Sequence, residues 1–442
     1  MRIENVKGGY DFLPKEQKIR NYINETLKDV FEKYGYCPIE TPILCYYDIL
    51  AGKYDESNDL LNEIYKLTDQ GKRNLGLRYD LTIPFAKFIA LNKNNITMPF
   101  KRYEISKVFR DGPIKVGRDR EFTQCDVDVV GITGQMIEAE LISLYVEAFL
   151  KLEIDVIIKY NNRNLMSGLI FECGVKEELI SKTITIIDKI EKMSDGEFKK
   201  SLLDIGLDYE QSNNLLSYFS LSLEELNKMF NNTTNKQLKL GLDELNKLTN
   251  YLENLELSKY CKFSSSLARG QDYYTGTVFE VYEKSGKLSC SIGGGGRYDK
   301  IITDFINDEN IYPAIGISFG LTSLYEILKD NKKFQNSSQV DIFIIPMNTE
   351  KESLKLANNI RKLGFKVDIE MCNKKLKKSL SFANKENIPF VIILGEDEIK
   401  NKCFYLKDMW DNKSLKIELD KLEQLEDVCT IKDSNNWYHL II

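Results

Sequence analysis

The chain has 442 residues, 43% hydrophobic and 29% charged, with a formal net charge of -6. That length allows two or three domains, because single cores rarely grow beyond roughly 250 residues, and the composition excludes disordered and fibrous classes. No stretch reaches the roughly 20 apolar residues of a membrane helix, and MRIENVKGGYDFLPKEQ has no apolar run behind a basic segment, so a cytoplasmic globular protein is expected.

From Glu16 to Tyr34 the spacing of Ile19, Tyr22, Ile23, Leu27, Val30, Phe31 and Tyr34 follows the helical period and predicts an amphipathic helix. In CPIETPILCYY, Pro38 and Pro42 favour extended chain. Residues 100 to 131 alternate on either side of RDGPIKVGRDRE, predicting two antiparallel strands joined by a long basic loop. Gly131 to Leu152 returns to helical spacing.

Between about 165 and 255 the texture becomes Lys, Glu, Leu, Ile and Asn with helical periodicity. DKIEKMSDGEFKKSLLDIGL and SLEELNKMFNN carry Ser or Asp starts and Gly or Asn stops, so this segment reads as a helical insertion. Strands resume at Lys262, interrupted by a glycine-rich turn, and Ala314 to Leu328 reads as a strand running into a helix. The polar connector KDNKKFQNSSQ marks a further boundary. Beyond it, strand and helix alternate as in a small α/β domain. The expected division is 1–164 and 256–330 as the two parts of a core, 165–255 as the insertion, and 338–442 as the C-terminal domain.

Cysteines stand at Cys37, Cys45, Cys125, Cys173, Cys261, Cys290, Cys372, Cys403 and Cys429 with no C-x-x-C pair. They read as reduced and mostly buried. The single histidine, His439, removes every other mechanism built on a histidine base or ligand, and near the chain end it reads as a surface or packing residue. With a negative net charge, any nucleic acid must meet a local basic face.

Two stretches carry chemistry. In VFRDGPIKVGRDREFTQCDVD, residues 108–128, Arg110, Lys115, Arg118 and Arg120 surround a loop containing Pro113 and Gly117, and Gln124, Asp126 and Asp128 follow at strand spacing. Arginines clamp phosphate bidentately, and Gln and Asp on one strand face hold polar atoms of a small amine-bearing ligand. The alternative is a solvated hairpin laced with ion pairs. In RGQDYYTGTVFEVY, residues 269–282, followed by SIGGGGRYD, residues 291–299, a strand pattern is entered through Arg269, Tyr273 and Tyr274. Glycines 293 to 296 permit close approach. Neither a P-loop nor a Rossmann fingerprint fits them, and in isolation they read as a turn.

Together these segments resemble the histidyl-tRNA synthetase family of class II aminoacyl-tRNA synthetases over essentially the whole chain. TPILCYY is similar to motif 1, with its proline at Pro42; LRYDLTIPFAKFIA resembles the next segment, which places Asp80 and Thr82 on the amino group of the amino acid. Residues 108–128 resemble motif 2, which implies Arg110 on the ATP α-phosphate, Arg118 and Arg120 facing ATP, and Gln124 and Asp128 in a histidine pocket. ARGQDYYTGTVFE and GGGGRYD resemble the two histidine-specific motifs. They imply Arg269 beside the reacting carboxylate and α-phosphate, Tyr273 and Tyr274 at the imidazole, and a backbone closing around the amino acid. Carboxylate attack on a phosphate joins two anions, so cations matter more than a protein base; Arg110 and Arg269 would supply them, with magnesium on the outer phosphates.

The resemblance further implies an α/β fold with an antiparallel six-stranded class II core flanked by helices, a helical insertion and an anticodon-binding domain over 338–442. The expected partners are ATP, histidine, the tRNA for histidine and a second copy of the chain. Lys374, Lys375, Lys377 and Lys378 offer a basic face, or equally a solvated helix face. Three positions depart from the family: Cys45 for a glutamate, Gly112 for a polar residue, and Ser323, in AIGISFGLTSL, for the motif 3 arginine on the γ-phosphate. The last keeps a second expectation open. Relatives that have abandoned charging serve as regulatory subunits of ATP phosphoribosyltransferase, but they typically lose the histidine motifs and the C-terminal domain, both legible here.

Overall fold

The computed structural model describes residues 3–52, 59–190, 193–269, 273–331, 334 and 338–428. It divides into two compact units, 1–328 and 329–442. His439 and Cys429 lie outside the described residues.

The first unit opens with helix α1 (Pro14–Lys33). Proline suits its first turn, and Glu16 accepts the Leu13 amide at 2.7 Å. Ile19, Ile23, Leu27, Val30 and Phe31 are its buried stripe. Short strands β1 (Cys37–Pro38), β2 (Leu44–Tyr46), β3 (Lys66–Thr68) and β4 (Asn74–Leu77) follow, with helix α2 (Tyr47–Ala51) after β2. Next come α3 (Thr82–Asn92), the hairpin β5 (Phe100–Phe109) and β6 (Glu121–Val130), α4 (Met136–Lys151) and β7 (Val156–Asn162). Six helices then run without a strand: α5 (Arg163–Glu172), α6 (Glu177–Ile187), α7 (Asp195–Asp204), α8 (Tyr209–Tyr218), α9 (Leu223–Met229) and α10 (Lys236–Asn254). The Ser194–Glu197 and Ser222–Glu225 pairs start two of them as reciprocal capping boxes.

The chain returns through β8 (Cys261–Phe263), β9 (Thr277–Glu283), β10 (Gly293–Arg297), α11 (Asp299–Ile306), β11 (Ala314–Gly320) and α12 (Leu321–Leu328). One sheet has the order β1-β5-β6-β11-β10-β9-β7-β8, while β2, β4 and β3 form a small sheet apart. The six inner strands of the large sheet are all antiparallel; β1 and β8 add short parallel edges to the six that were expected.

The glycine run is a correction to the expected turn. Gly293–Arg297 is a strand in the middle of the sheet, hydrogen-bonded to β9 on one side and β11 on the other. Side chains do not fit there: a Cβ on Gly295 would lie 2.0 Å from the Gly316 carbonyl oxygen. Close approach by neighbouring groups, and not chain reversal, is the reason for glycine.

In the second unit, β12 (Ile342–Met347) lies between β13 (Val367–Ile369) and β14 (Phe390–Gly395), parallel to both, and β15 (Cys403–Asp408) and β16 (Ser414–Glu418) extend the sheet antiparallel. Successive β12 side chains serve opposite faces. Ile342 and Ile344 pack with Leu356 and Ile360 of helix Glu350–Lys362, and Phe343 and Ile345 with Ala383 of helix Leu376–Lys385. This is a three-layer α/β domain.

Candidate active site

A cavity of about 200 Å³ opens on one face of the large sheet. Strand β6 presents Phe122, Gln124, Asp126 and Asp128 to it, the alternation that a two-residue period dictates. Gly293, Gly294 and Gly295 of β10 and Gly316 and Ser318 of β11 form its floor. Asp80 and Thr82 enter from the start of α3, where the Asp80 carboxylate accepts the Ile83 amide at 3.1 Å. Tyr273 and Tyr274 close another side, their rings 4.6 Å apart, with Tyr273 set edge-on to Tyr298.

The acids differ in their surroundings. Asp128 meets the Arg102 guanidinium at 2.6 Å and accepts the Tyr298 hydroxyl. Arg102 is itself fully buried on β5; burial works against its charge, but Asp128, Asp126 and Glu104 hold it protonated. Burial raises the Asp80 carboxyl to about 6, against the pull of the Ile83 amide and Arg110. Burial and the neighbouring Asp128 raise Asp126 to about 8.

Two cations face these acids across the cavity. Arg110, at the end of β5, donates Nε to the Tyr79 carbonyl at 3.0 Å and lies 5.1 Å over the Phe122 ring. Arg269 has φ of 55°, donates Nη1 to the Phe279 carbonyl at 2.9 Å and stands 5.4 Å from the Tyr274 ring centre. Burial opposes its charge, yet Tyr274, Glu280, Tyr273 and Tyr145 keep its pKa above the ordinary arginine value. Acids and cations thus line one chamber, suited to a ligand that carries both signs.

Asp80, Thr82, Arg110, Gln124, Asp128, Arg269, Tyr273 and Tyr274 all line this cavity. Arg118 and Arg120 do not. Arg118 pairs with Glu63 at 2.8 Å and Arg120 with Asp111 at 3.2 Å. Glu63 also accounts for Gly112, because a Cβ there would meet its carboxylate at 2.9 Å. Cys45 is buried, with Sγ 3.5 Å from the Pro42 carbonyl. Of the eight described cysteines only four are buried, fewer than expected; Cys37, Cys290 and Cys372 are exposed. Lys374, Lys375, Lys377 and Lys378 are all exposed.

Two supporting residues escaped the sequence reading. Arg102 looks like any strand arginine until the hairpin register sets it opposite Asp128. Tyr298 follows the glycine run, and only its partner Asp128 shows its use. Among the described residues no group of three or more His, Cys, Asp or Glu could hold a metal.

The histidyl-tRNA synthetase family model matches residues 8–324 and an anticodon-binding domain model matches residues 340–425. "Histidine--tRNA ligase 1" of Bacillus cereus is 46% identical over 96% of this chain and 97% of its own length. "Histidine--tRNA ligase 2" of Shouchella clausii is 43% identical over 92% and 96%. The crystal structure of histidyl-tRNA synthetase from Nostoc sp. PCC 7120 superposes with a TM-score of 0.85 at 29% identity, covering 97% of this chain and 99% of that one. The fold is shared as well by an ATP phosphoribosyltransferase regulatory subunit/histidyl-tRNA synthetase from Bacillus halodurans C, with a TM-score of 0.75 at 23% identity over 89% of this chain and 98% of that one. The chain belongs to the histidyl-tRNA synthetase family, with a mixed α/β catalytic unit, a helical insertion and a C-terminal anticodon-binding domain.

Proposed function

We propose a residue-level account of how this chain carries out its family's reaction. It is a histidine--tRNA ligase, joining histidine to its tRNA at the expense of ATP. A histidine carboxylate oxygen attacks the α-phosphate of ATP, pyrophosphate leaves, and the resulting histidyl-adenylate is attacked by a ribose hydroxyl at the tRNA 3′ end, releasing AMP. The carrying observation is that Arg110 and Arg269 share one cavity with Asp80, Gln124, Asp128 and the tyrosine pair.

In this reading Asp80 and Thr82 hold the α-ammonium group, and Gln124, Asp128, Tyr273 and Tyr274 surround the imidazole. Arg110 and Arg269 neutralise the α-phosphate as charge develops in the transition state. No protein base is needed, since the nucleophile is already a carboxylate. Arg118 and Arg120 reach ATP only by exchanging Glu63 and Asp111 for phosphate oxygens. Magnesium would be bound chiefly by the phosphates of ATP, as is usual for nucleotides.

A homodimer fits the small sheet, where Ile43, Leu44, Tyr46 and Leu67 are 40 to 51% exposed and form an apolar surface that a second copy would cover. A cytoplasmic setting agrees with the free cysteines, and no described helix is long and apolar enough to cross a membrane.

ATP–pyrophosphate exchange against all twenty amino acids, followed by charging of tRNA, tests the function. Exchange should depend on histidine and charging on the tRNA for histidine. Histidine binding without exchange or charging would instead favour a regulatory role, the reading left open by Ser323.

A further inference from the structure

Resting on the ligase reading, we propose that Asp126 is an additional specificity-determining residue of the amino-acid site, the carboxylate that accepts a ring N–H of the substrate imidazole. Asp126 sits on β6 between Gln124 and Asp128, lines the same cavity, and is only 4% exposed. The two neighbouring acids are not equivalent. Asp128 has its charge met by the Arg102 guanidinium at 2.6 Å and accepts the Tyr298 hydroxyl, although its Oδ2, like Asp80 Oδ2 and Gln124 Oε1, is also a buried acceptor without a hydrogen-bond partner among the described residues. Asp126 has the Ser318 hydroxyl as a hydrogen-bond neighbour, and its buried Oδ1 has no partner among the described residues.

A buried acceptor without a donor is costly unless a ligand supplies one. An imidazole ring does so, as it carries an N–H donor whether neutral or protonated. A side chain without that donor leaves Oδ1 unpaired, which is how a polar pocket rejects apolar analogues strongly. The aromatic walls at Tyr273 and Tyr274 suit a flat ring.

Proton traffic follows from the groups around the carboxyl. Arg102 and Glu104 face it from β5, Asp128 and Cys125 from its own strand, Asp80 from the start of α3, Tyr145 from α4, and Tyr274 and Tyr298 from the glycine-rich half. Burial and the neighbouring Asp128 push the carboxyl well above the ordinary aspartate range before substrate enters. Free imidazole loses its own near 6.5. At neutral pH a protonated Asp126 and a neutral ring therefore share one proton, and an ionised Asp126 accepts the N–H of the neutral ring directly.

The test compares wild type with Asp126→Asn in histidine-dependent ATP–pyrophosphate exchange from pH 6.5 to 9, with thermal melting as a check on folding. The variant should raise the KM for histidine by roughly ten- to a hundredfold and leave the KM for ATP within about twofold. A variant with wild-type histidine KM overturns the assignment. Should the variant not fold, analogues decide in the wild type: histidine should protect against thermal unfolding at least about tenfold better than β-(2-thienyl)alanine, whose ring has the same shape but no N–H, and equal protection overturns the proposal. If the wild type itself shows no histidine-dependent exchange, the ligase reading fails; thermal protection by histidine still reports on Asp126.

Discussion

The guanidinium of Arg269 rests on the backbone of Gly294, so closely that a Cβ on that glycine would stand 1.6 Å from Arg269 Nη1 and 2.9 Å from the Phe279 carbonyl oxygen. The glycine strand is therefore the seat of the arginine. Gly294→Ala should lift Arg269 off its seat and slow histidine-dependent exchange by about a hundredfold or more, the size of a lost transition-state donor. Exchange within a few-fold of wild type, in a variant that melts normally, would show that Arg269 acts from another position.

Arg269→Ala separates rate from binding. Its proposed partner is negative charge that grows on the α-phosphate, so the interaction lowers the barrier more than it holds the ground state. Single-turnover adenylate formation should slow by about 10²- to 10³-fold while the Kd for histidine changes by less than about tenfold. Equal losses in both quantities would make it a binding residue and nothing more.

Residues whose role is set along the chain were legible, and those set by distant partners were not. The hairpin of β5 and β6 follows from alternation, and the capped helices of the insertion follow from Ser194 and Ser222 with a glutamate three residues on. Gly293–Arg297 defeated the same method because glycines show no alternation and rarely populate strands. Hydrogen bonds to β9 and β11 hold the run in the sheet, and Arg269 beside Gly294 and the Gly316 carbonyl beside Gly295 leave room for glycine alone. Likewise the positive charge of Arg118 was plain, but its partner Glu63 lies 55 residues away. Asp128 was legible as a pocket residue, but its partner Arg102 was not, because only the strand register joins the two in the interior.

A second buried pair behaves differently with pH. Arg297 meets Glu138 at 3.0 Å and also donates to the carbonyls of Ile132 and Gly134. Burial raises Glu138 to about 7, although Arg297 and Thr277 pull it down. An unfolded glutamate titrates near 4.3. The native chain therefore holds a proton that the unfolded chain has lost between those values, and this group's contribution to stability falls as pH rises through that window. Arg297→Met leaves the buried carboxylate without its cation and should cost about 3 to 5 kcal/mol at pH 8. The loss should shrink at pH 5.5, where protonation removes the uncompensated charge. Denaturant unfolding at the two pH values reads the difference, and equal losses would mean that Glu138 does not titrate in this range.

By the resemblance of AIGISFGLTSL to motif 3, Ser323 takes the place of an arginine on the γ-phosphate, and its surroundings decide what introducing an arginine there would do. Ser323 is 5% exposed. The loop between β5 and β6 comes down on it: a Cβ on Gly117 would lie 3.4 Å from the Ser323 hydroxyl and 3.9 Å from Cys290 Sγ. Reciprocal backbone bonds between Lys115 and Arg118, at 3.1 and 2.9 Å, fix that loop tip. A guanidinium needs several ångströms beyond the serine hydroxyl, so Ser323→Arg must displace the tip and disturb the Arg118–Glu63 pair beside it. A well-placed contact to phosphate contributes about 1 to 3 kcal/mol, but a side chain without its supporting shell delivers less. The KM for ATP should accordingly stay flat or rise. A several-fold fall would show that the loop yields and that the serine is a plain loss. Adding Gly117→Ala distinguishes the two cases further: its Cβ points at the serine from a φ of 77°, so on its own it should disturb the same contact. If Gly117→Ala and Ser323→Arg raise the ATP KM separately but not cumulatively, both act by moving one loop, and the packing of Gly117 on Ser323 is what sets this chain's handling of ATP.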